Sequence, residues 1–521
     1  MWSIQFTLLL TIDHSPFTIH HSLLIQFTSM ANIVSINFRG GIISPGDLYN
    51  ILFAAQKIKV QYVRFGLRQQ LLIDLESYSL TDFTQELEKL NIFFEIDSSK
   101  FPNIISSYPA EDIFIRNTWL SEGVYKDIFD TIDYTPTLKV NICDSNQSFT
   151  PMLTGNINWI AASESQHYWH LIIRFPKTNI IYEWDQLCYT NDIPKITKSI
   201  EQFITATPSA YIDNPNADGS ALFTSIPTEN FNTKPAEKKA DLPQFNLPYY
   251  EGLNRYDNKY WLGIYRRDEL FNVEFLKSVC QLCLQTKLGQ LCCTAWKTIM
   301  IKGIEEKDKG SWNSLLEKFQ INMRHAANEL NFQVEDNCME GLELKNYLVK
   351  HLSIDDTRTF GICIGIKTRK KSEIFSSILV RKRYLVDVLG IKLFKVYDIL
   401  CAKDFNPNER TEEIFSSGNP KIVLPEQLRR SVLKFYNYRA GLKKNKPAGN
   451  IIVKQTKEKI AEAYVYQCSN CKTVYDPIGG EPENAIPAGT TFERLPATYV
   501  CSMCECGKDK FSKVKKSELS L

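Results

Sequence analysis

The sequence predicts an α+β fold: a duplicated body followed by a small metal-binding domain near the C-terminus. Three observations lead there. Two segments of the body repeat one order of strand and helix patterns, and Leu276, Val279, Cys280 and Cys283 follow Leu48, Ile51, Leu52 and Ala55 at one constant offset. Two CxxC pairs close the chain, Cys468-Ser-Asn-Cys471 and Cys501-Ser-Met-Cys504. With 521 residues, 44% of them hydrophobic, the chain has material for two to four domains of about 100–200 residues each.

Net charge is +2 at pH 7, so the chain as a whole offers no electrostatic reason to bind nucleic acid or a membrane surface. No apolar run approaches the roughly 20 residues needed to span a bilayer. Four of the fourteen Cys belong to the CxxC pairs, and others sit inside apolar runs such as Val140-Asn-Ile-Cys143 and Gly361-Ile-Cys363. That pattern suits reduced thiols, and the expected compartment is cytoplasmic.

Residues 1–29 hold one short apolar piece, Phe6 to Ile12, without the basic start and small-residue cleavage site of a secretory signal. They are expected to be an unstructured extension, with Met30 as the true start. From Ile33 the chain alternates as a strand, turns at Gly40-Gly41 and starts a helix with Ser44 as N-cap and Pro45 at the first helical position. Leu48, Ile51, Leu52 and Ala55 form one buried stripe. Strands at Tyr62 to Phe65 and Leu71 to Asp74 follow, then a helix from Thr81.

The same order returns with a strand at Gly263 to Arg266, and Thr294-Ala-Trp-Lys297 falls where Gly66-Leu-Arg-Gln69 fell. A constant offset that superposes two buried stripes indicates duplication. It also classifies Cys280-Gln-Leu-Cys283, whose positions are apolar in the first copy, as core and not as a metal site. The domains are thus expected at 30–205 and 249–440, with a Pro-, Asn- and Ser-rich linker at 206–248 and a lysine-rich linker at 441–463 ahead of a metal domain at 464–513.

A CxxC turn aims two sulfurs at one ion, so Cys468, Cys471, Cys501 and Cys504 together supply a tetrahedral four-thiolate shell for iron or zinc. Between and around the pairs stand Tyr466, Tyr475-Asp476-Pro477, Gly480, Pro482, Pro487, Gly489-Thr490, Phe492, Leu495-Pro496, Val500 and Phe511. With these residues the tail resembles a rubredoxin, and the resemblance implies one iron per chain. Lys472 and Glu505 stand where that family usually has Gly after each pair, Ser502 where it has Pro, and Tyr499 where it has Trp. Cys506 is a fifth thiol, read as a spare one.

The pieces Gly41-x2-Ser44-x3-Leu48, Arg68-Gln69, and Leu288-Gly289-x4-Thr294-Ala295-Trp296-Lys297-x3-Ile301-x-Gly303-Ile304 resemble the paired ferredoxin-like half-domains of siroheme-dependent nitrite and sulfite reductases. Such enzymes hold a [4Fe–4S] cluster with Cys spaced C-x5-C and C-x3-C. No two Cys here stand six or four apart, so the resemblance implies the scaffold without the cluster. Candidate cations for an anionic group are Arg68, Arg174, Lys297 and the runs Lys367-Thr-Arg369-Lys370-Lys371 and Arg381-Lys382-Arg383, the runs being read first as solvated loops. His167 and His170 flank Tyr168-Trp169 in a strand and so project to opposite faces.

No nucleotide-binding loop or nucleophile elbow is present. The function expected is therefore electron transfer, a one-electron relay through a mononuclear Fe(Cys)4 site serving a nitrite- or sulfite-type reductase system. Its partner is another redox protein, with neither nucleic acid nor membrane. Two other readings stay open: an oxidoreductase whose body itself binds siroheme or an oxyanion, and a zinc-bound scaffold.

Overall fold

The computed structural model describes residues 31–115, 118–370, 374–388, 391–409, 411–445, 464–471, 473–475, 477, 481, 486–487, 489–502 and 504–515. The expected extension 1–29 and residues 446–463 of the expected second linker lie outside these. Two compact units emerge, Met1–Gly441 and Leu442–Leu521.

The first unit opens with β1 (Ala31–Ile36), β2 (Ile42–Ile43), α1 (Pro45–Lys57), β3 (Tyr62–Phe65), β4 (Leu71–Glu76), α2 (Ser77–Lys89) and β5 (Glu95–Ile96). Ser44 caps α1, its hydroxyl accepting from the Asp47 N–H at 3.0 Å. Helix α2 begins at Ser77, ahead of the expected Thr81. The stripe of Leu48, Ile51, Leu52 and Ala55 is fully buried.

A second sheet follows, built from β6 (Ile105–Ser106), β7 (Val140–Cys143), β8 (Ile157–Ala161), β9 (Tyr168–Arg174), β10 (Ile181–Glu183) and β11 (Gln186–Tyr189), with α3 (Glu122–Thr131) and α4 (Ile193–Ala206). Strands β6, β7 and β8 pair in parallel and β9 turns antiparallel. Every residue of β7 and β8 is buried, as parallel strands covered on both faces require.

The segment 206–248, expected as a linker, is built into this body. It holds α5 (Pro208–Tyr211), α6 (Gly219–Ser225) and β12 (Thr233–Pro235), the last paired with β11. Leu222, Phe223, Phe245 and Leu247 are buried, and the Phe223 ring stacks on Trp184 at 4.4 Å.

After β13 (Gly252–Tyr256) the first order of elements recurs: β14 (Lys259–Ile264), β15 (Phe271–Asn272), α7 (Val273–Gln285), β16 (Leu291–Cys293), β17 (Ile299–Ile304) and α8 (Lys309–Lys318). The starts of β14, α7 and β17 follow those of β1, α1 and β4 at the same offset that relates the two buried stripes. Strand β14 therefore lies slightly ahead of the expected Gly263 to Arg266. Asn272, the N-cap of α7, stands at the position of the repeat equivalent to Ser44 and accepts from the Phe275 N–H at 3.0 Å.

The two half-sheets exchange strands. Their orders are β15-β3-β4-β1-β5 and β13-β14-β17-β16-β2, so each half completes its sheet with a strand from the other. Buried faces of α1, α7 and both sheets share one core.

A further sheet is formed by β18 (Phe332–Val334), β19 (Ile364–Lys367), β20 (Ile378–Val388), β21 (Ile391–Ala402) and β22 (Glu412–Asn419), with α9 (Ala327–Leu330), α10 (Met339–Ile354) and α11 (Leu424–Asn445). Its first three strands are parallel and β21 is antiparallel, repeating the pattern of β6 to β9. The duplication thus extends through both layers of each half. Among the described residues no helix is long and apolar enough to cross a membrane.

The second unit is a three-stranded antiparallel sheet ordered β24-β23-β25, from β23 (Tyr464–Cys468), β24 (Val474–Tyr475) and β25 (Phe511–Lys515). Its core is largely aromatic: Tyr475, Ile486, Phe492, Leu495 and Tyr499, with Tyr466 and Phe511 packed against it. The Tyr466 and Phe492 rings stack at 4.0 Å.

The strand exchange carries a stability prediction. Phe271 of β15 is fully buried and meets Phe65 of β3 edge-on at 4.9 Å. Phe271→Ala is expected to cost about 3–5 kcal/mol, as large-to-small core changes do. Thermal unfolding should show both halves of the body melting earlier together, whereas independent halves would leave part of the transition in place.

Candidate metal centre

The tail brings two cysteine-bearing turns together because β23 ends in one and the chain returns beside it before β25. The Cys468 N–H donates to the Thr473 carbonyl and the Cys501 N–H to the Cys506 carbonyl, both at 2.8 Å. The second turn takes a left-handed residue, Glu505 at φ 57°, so this position keeps the conformation for which Gly was expected. Its N–H donates to the Cys501 carbonyl at 2.9 Å.

Five sulfurs converge. Cys468 Sγ lies 3.2 Å from Cys506 and 3.7 Å from Cys504, Cys504 and Cys506 are 3.5 Å apart, and Cys471 Sγ lies 3.5 Å from Cys501. Cys468, Cys501, Cys504 and Cys506 all fall within 4.8 Å of one another. Three of the expected ligands, Cys468, Cys501 and Cys504, thus share that group with Cys506, the thiol read as spare, whereas Cys471 stands outside it, 3.5 Å from Cys501. The closeness of Cys506 was not legible because CxxC spacing picks out pairs and ignores the next residue but one.

Hydrogen bonding sorts these sulfurs. The Cys471 backbone N–H is the chief cause holding the Cys468 thiol below its usual range, the Thr473 hydroxyl does the same for Cys471, and the Cys506 N–H does so for Cys504. Cys506 moves the other way, pushed up to about 12 chiefly by its hydrogen bond with Cys468. Donors that favour the thiolate form at three of these sulfurs suit the site to a thiophilic metal.

The remaining tail residues singled out from the sequence form the support. Tyr499 is buried against Phe492 and Phe511, and its hydroxyl donates to Glu481 at 3.0 Å. Tyr475 donates to the Thr490 carbonyl at 2.8 Å, and the Gly489 N–H, at φ 87°, reaches the Pro477 carbonyl at 2.7 Å. Lys472, Asp476, Gly480 and Pro482 lie outside the described residues.

In the body, Cys280 and Cys283 are buried in α7 within the shared core, as the repeat implied. Arg68 donates to the carbonyls of Asn103 and Val140, and Arg174 to those of Gly155 and Thr154. Lys297 pairs with Glu269 at 2.6 Å and Asp336 at 3.4 Å. These three cations are therefore engaged by the protein itself. His170 pairs with Glu164 at 3.1 Å, while His167 precedes β9 at φ 61° instead of standing within the strand.

The tail matches the family model described as Rubredoxin over residues 465–511. It is 45% identical over 49 residues to Rubredoxin-2 of Chlorobaculum tepidum, covering 9% of this chain and 94% of that one. The High molecular weight rubredoxin of Moorella thermoacetica is 43% identical over 70 residues, 13% of this chain and 31% of the relative, so the match spans less than a third of that protein. In fold, 78% of the chain superposes on 81% of the Mycobacterium tuberculosis NirA protein with a TM-score of 0.59 and 12% identity.

One buried charge had no counterpart in the sequence reading. Lys345 of α10 is 1% exposed and donates to the Tyr265 hydroxyl at 2.6 Å, and burial lowers its pKa from about 10.5 to about 8. Between those values the unfolded chain binds the proton that the folded chain has released, so this group's contribution to stability rises with pH. Chemical denaturation across roughly pH 7.5 to 10.5 should show wild type gaining up to roughly 3 kcal/mol relative to Lys345→Met. A difference that stays flat would place the Lys345 ammonium in a solvated site.

Proposed function

We propose, from the premise that this chain belongs to the rubredoxin family through its C-terminal unit, that it is an electron carrier whose iron is held by Cys468, Cys471, Cys501 and Cys504. The carrying observation is the convergence of thiolates from two turns whose backbone N–H groups point at the sulfurs. An iron in such a shell supplies one-electron exchange between Fe(III) and Fe(II).

The chain's own residues set the conditions for that exchange. N–H donors from Cys471 and Cys506, with the Thr473 hydroxyl, stabilise negative charge on sulfur in the resting protein. Tyr499, Phe492 and Phe511 pack on one another in the core of the same unit. Cys471 is exposed, which gives a partner protein a sulfur to approach. In this reading Cys506, 3.2 Å from the Cys468 sulfur and 3.5 Å from that of Cys504, is a neighbour of the ligands and not one of them.

Substitution separates the two possible ligand sets. Iron quantified per chain should fall to near zero in Cys471→Ser and Cys504→Ser, with loss of the visible thiolate-to-iron absorption, and remain near one in Cys506→Ser. Retention in Cys471→Ser with loss in Cys506→Ser would assign Cys506 as the fourth ligand.

The partner is a redox protein, and the resemblance of the body points to a nitrite- or sulfite-type reductase system. From Tyr464 to Phe511 the sequence carries six acidic and four basic side chains, and a tetrathiolate iron adds negative charge. Weak redox encounters are small and electrostatically steered, so the partner should present a positive patch. Stopped-flow reduction of the iron by such a reductase should slow about tenfold or more as salt rises from low to physiological. A rate indifferent to salt would remove the steering, and a rate no faster than background would remove the relay.

A further inference from the structure

Away from the metal centre, the body carries a cavity of ≈ 1060 Å³ lined by Lys367, Arg369, Lys370, Arg381, Lys382 and Arg383. The two basic runs are separate in the chain, one opening at Lys367 and the other at Arg381, and parallel pairing of β19 with β20 sets those two residues side by side in register. Strands β18 and β19 end at this cavity and α10 starts at it: Cys338 caps the helix, and Asn337 through Glu340 line the wall. Crevices beyond the carboxyl ends of parallel strands, with a helix N-terminus facing in, favour negatively charged ligands.

Among the described residues, the carboxylates at this cavity are shared between cations. Glu340 bridges Lys382 and Lys395, and Asp398 bridges Arg381 and Arg383, so two carboxylates are shared among four cations. Arg369 donates to the backbone carbonyls of Asp336 and Asn337, which hold it at the rim. Glu335 accepts from the Thr368 N–H and hydroxyl and from the Arg369 N–H, and Asp336 pairs with Lys297. Among the described residues, Lys395 and the lining cations outnumber these four carboxylates. Such clustering costs repulsion unless an anion offsets it.

The lining also selects the kind of anion. Besides the cations, Met339, Cys338 and the Tyr384 ring line the cavity, so its choice among anions rests on charge. Guanidinium and ammonium groups presented from two paired strands can engage more than one oxyanion group of a single ligand. We propose that this cavity binds a small ligand carrying two or more linked phosphate groups.

Isothermal titration of the full chain with sodium tripolyphosphate at low ionic strength tests this. Expected is one-to-one binding that weakens about tenfold in Lys367→Ala and in Arg381→Ala, that is kept in Lys367→Arg, and that is unchanged in Lys259→Ala, an exposed residue at the start of β14. Inorganic phosphate should bind about tenfold more weakly or worse, because it engages fewer of the cations. Unliganded melting temperatures of the variants should match wild type, and ligand should raise the wild-type value by mass action. Equal affinity in wild type and both alanine variants, equal affinity for phosphate and tripolyphosphate, or no heat and no thermal shift would each overturn the proposal. A twenty-nucleotide single strand binding at least about tenfold more tightly than tripolyphosphate would overturn it in favour of nucleic acid.

Discussion

The body depends on a reciprocal crossing: β2 leaves the first half to complete the second sheet, and β15 leaves the second half to complete the first. Each crossing needs a left-handed residue at its start. In the first half this is Gly41 at φ 77°, where a Cβ would meet the Cys293 carbonyl oxygen at 2.6 Å and the Gln69 amide at 2.8 Å. In the second half the residue at the equivalent position of the repeat is Glu269 at φ 59°, and the counterpart of Gln69 is Lys297, itself at φ 57° as Gln69 is at φ 61°. One junction has therefore been solved twice. The first half relies on a missing side chain and a Gln that bonds Ser106 through both amide groups, the second on a buried Lys297–Glu269 ion pair. Removing either partner of that pair strands a charge among buried groups, so the side chains at these sites hold the crossing as firmly as the strand pairing does.

That junction also shows what could be read from the chain beforehand. The constant offset between the halves was legible because buried helix stripes and N-caps are local patterns, and Ser44 and Asn272 fulfil the same role at equivalent positions. The exchange itself was not legible, since β2 and β15 are two residues long and take their partners from the opposite half. Segment 206–248 reads as linker because Pro, Asn, Ser and Lys dominate its composition, yet Leu222, Phe223, Phe245 and Leu247 suffice to anchor it. Lys345 lies on α10, and tertiary packing encloses it. The two basic runs are visible singly; a parallel strand pair is what makes them neighbours.

In the tail the position after the second CxxC shows backbone geometry outranking residue type. Glu505 accepts the left-handed conformation at a cost of about 1–2 kcal/mol relative to glycine's freedom, because the turn around it is closed by hydrogen bonds on both sides, Cys501 N–H to the Cys506 carbonyl and Glu505 N–H to the Cys501 carbonyl. The turn that aims the thiols thus survives loss of the residue that usually makes it easy. What the substitution adds is a carboxylate next to the sulfurs, which bears on their potential more than on their placement.

Solvation then decides which of the fourteen cysteines can do metal chemistry. Cys143, Cys188, Cys280, Cys283, Cys292, Cys293, Cys363 and Cys401 are buried in the body, and burial pushes each thiol up, away from the thiolate form. In the tail, N–H and hydroxyl donors pull Cys468, Cys471 and Cys504 the opposite way. A thiol kept protonated by an apolar core packs as a small hydrophobe, so a CxxC on a helix such as Cys280–Cys283 and a CxxC in a donor-lined turn are different chemical objects despite identical spacing. At these eight body cysteines burial opposes the thiolate form that the donors in the tail favour.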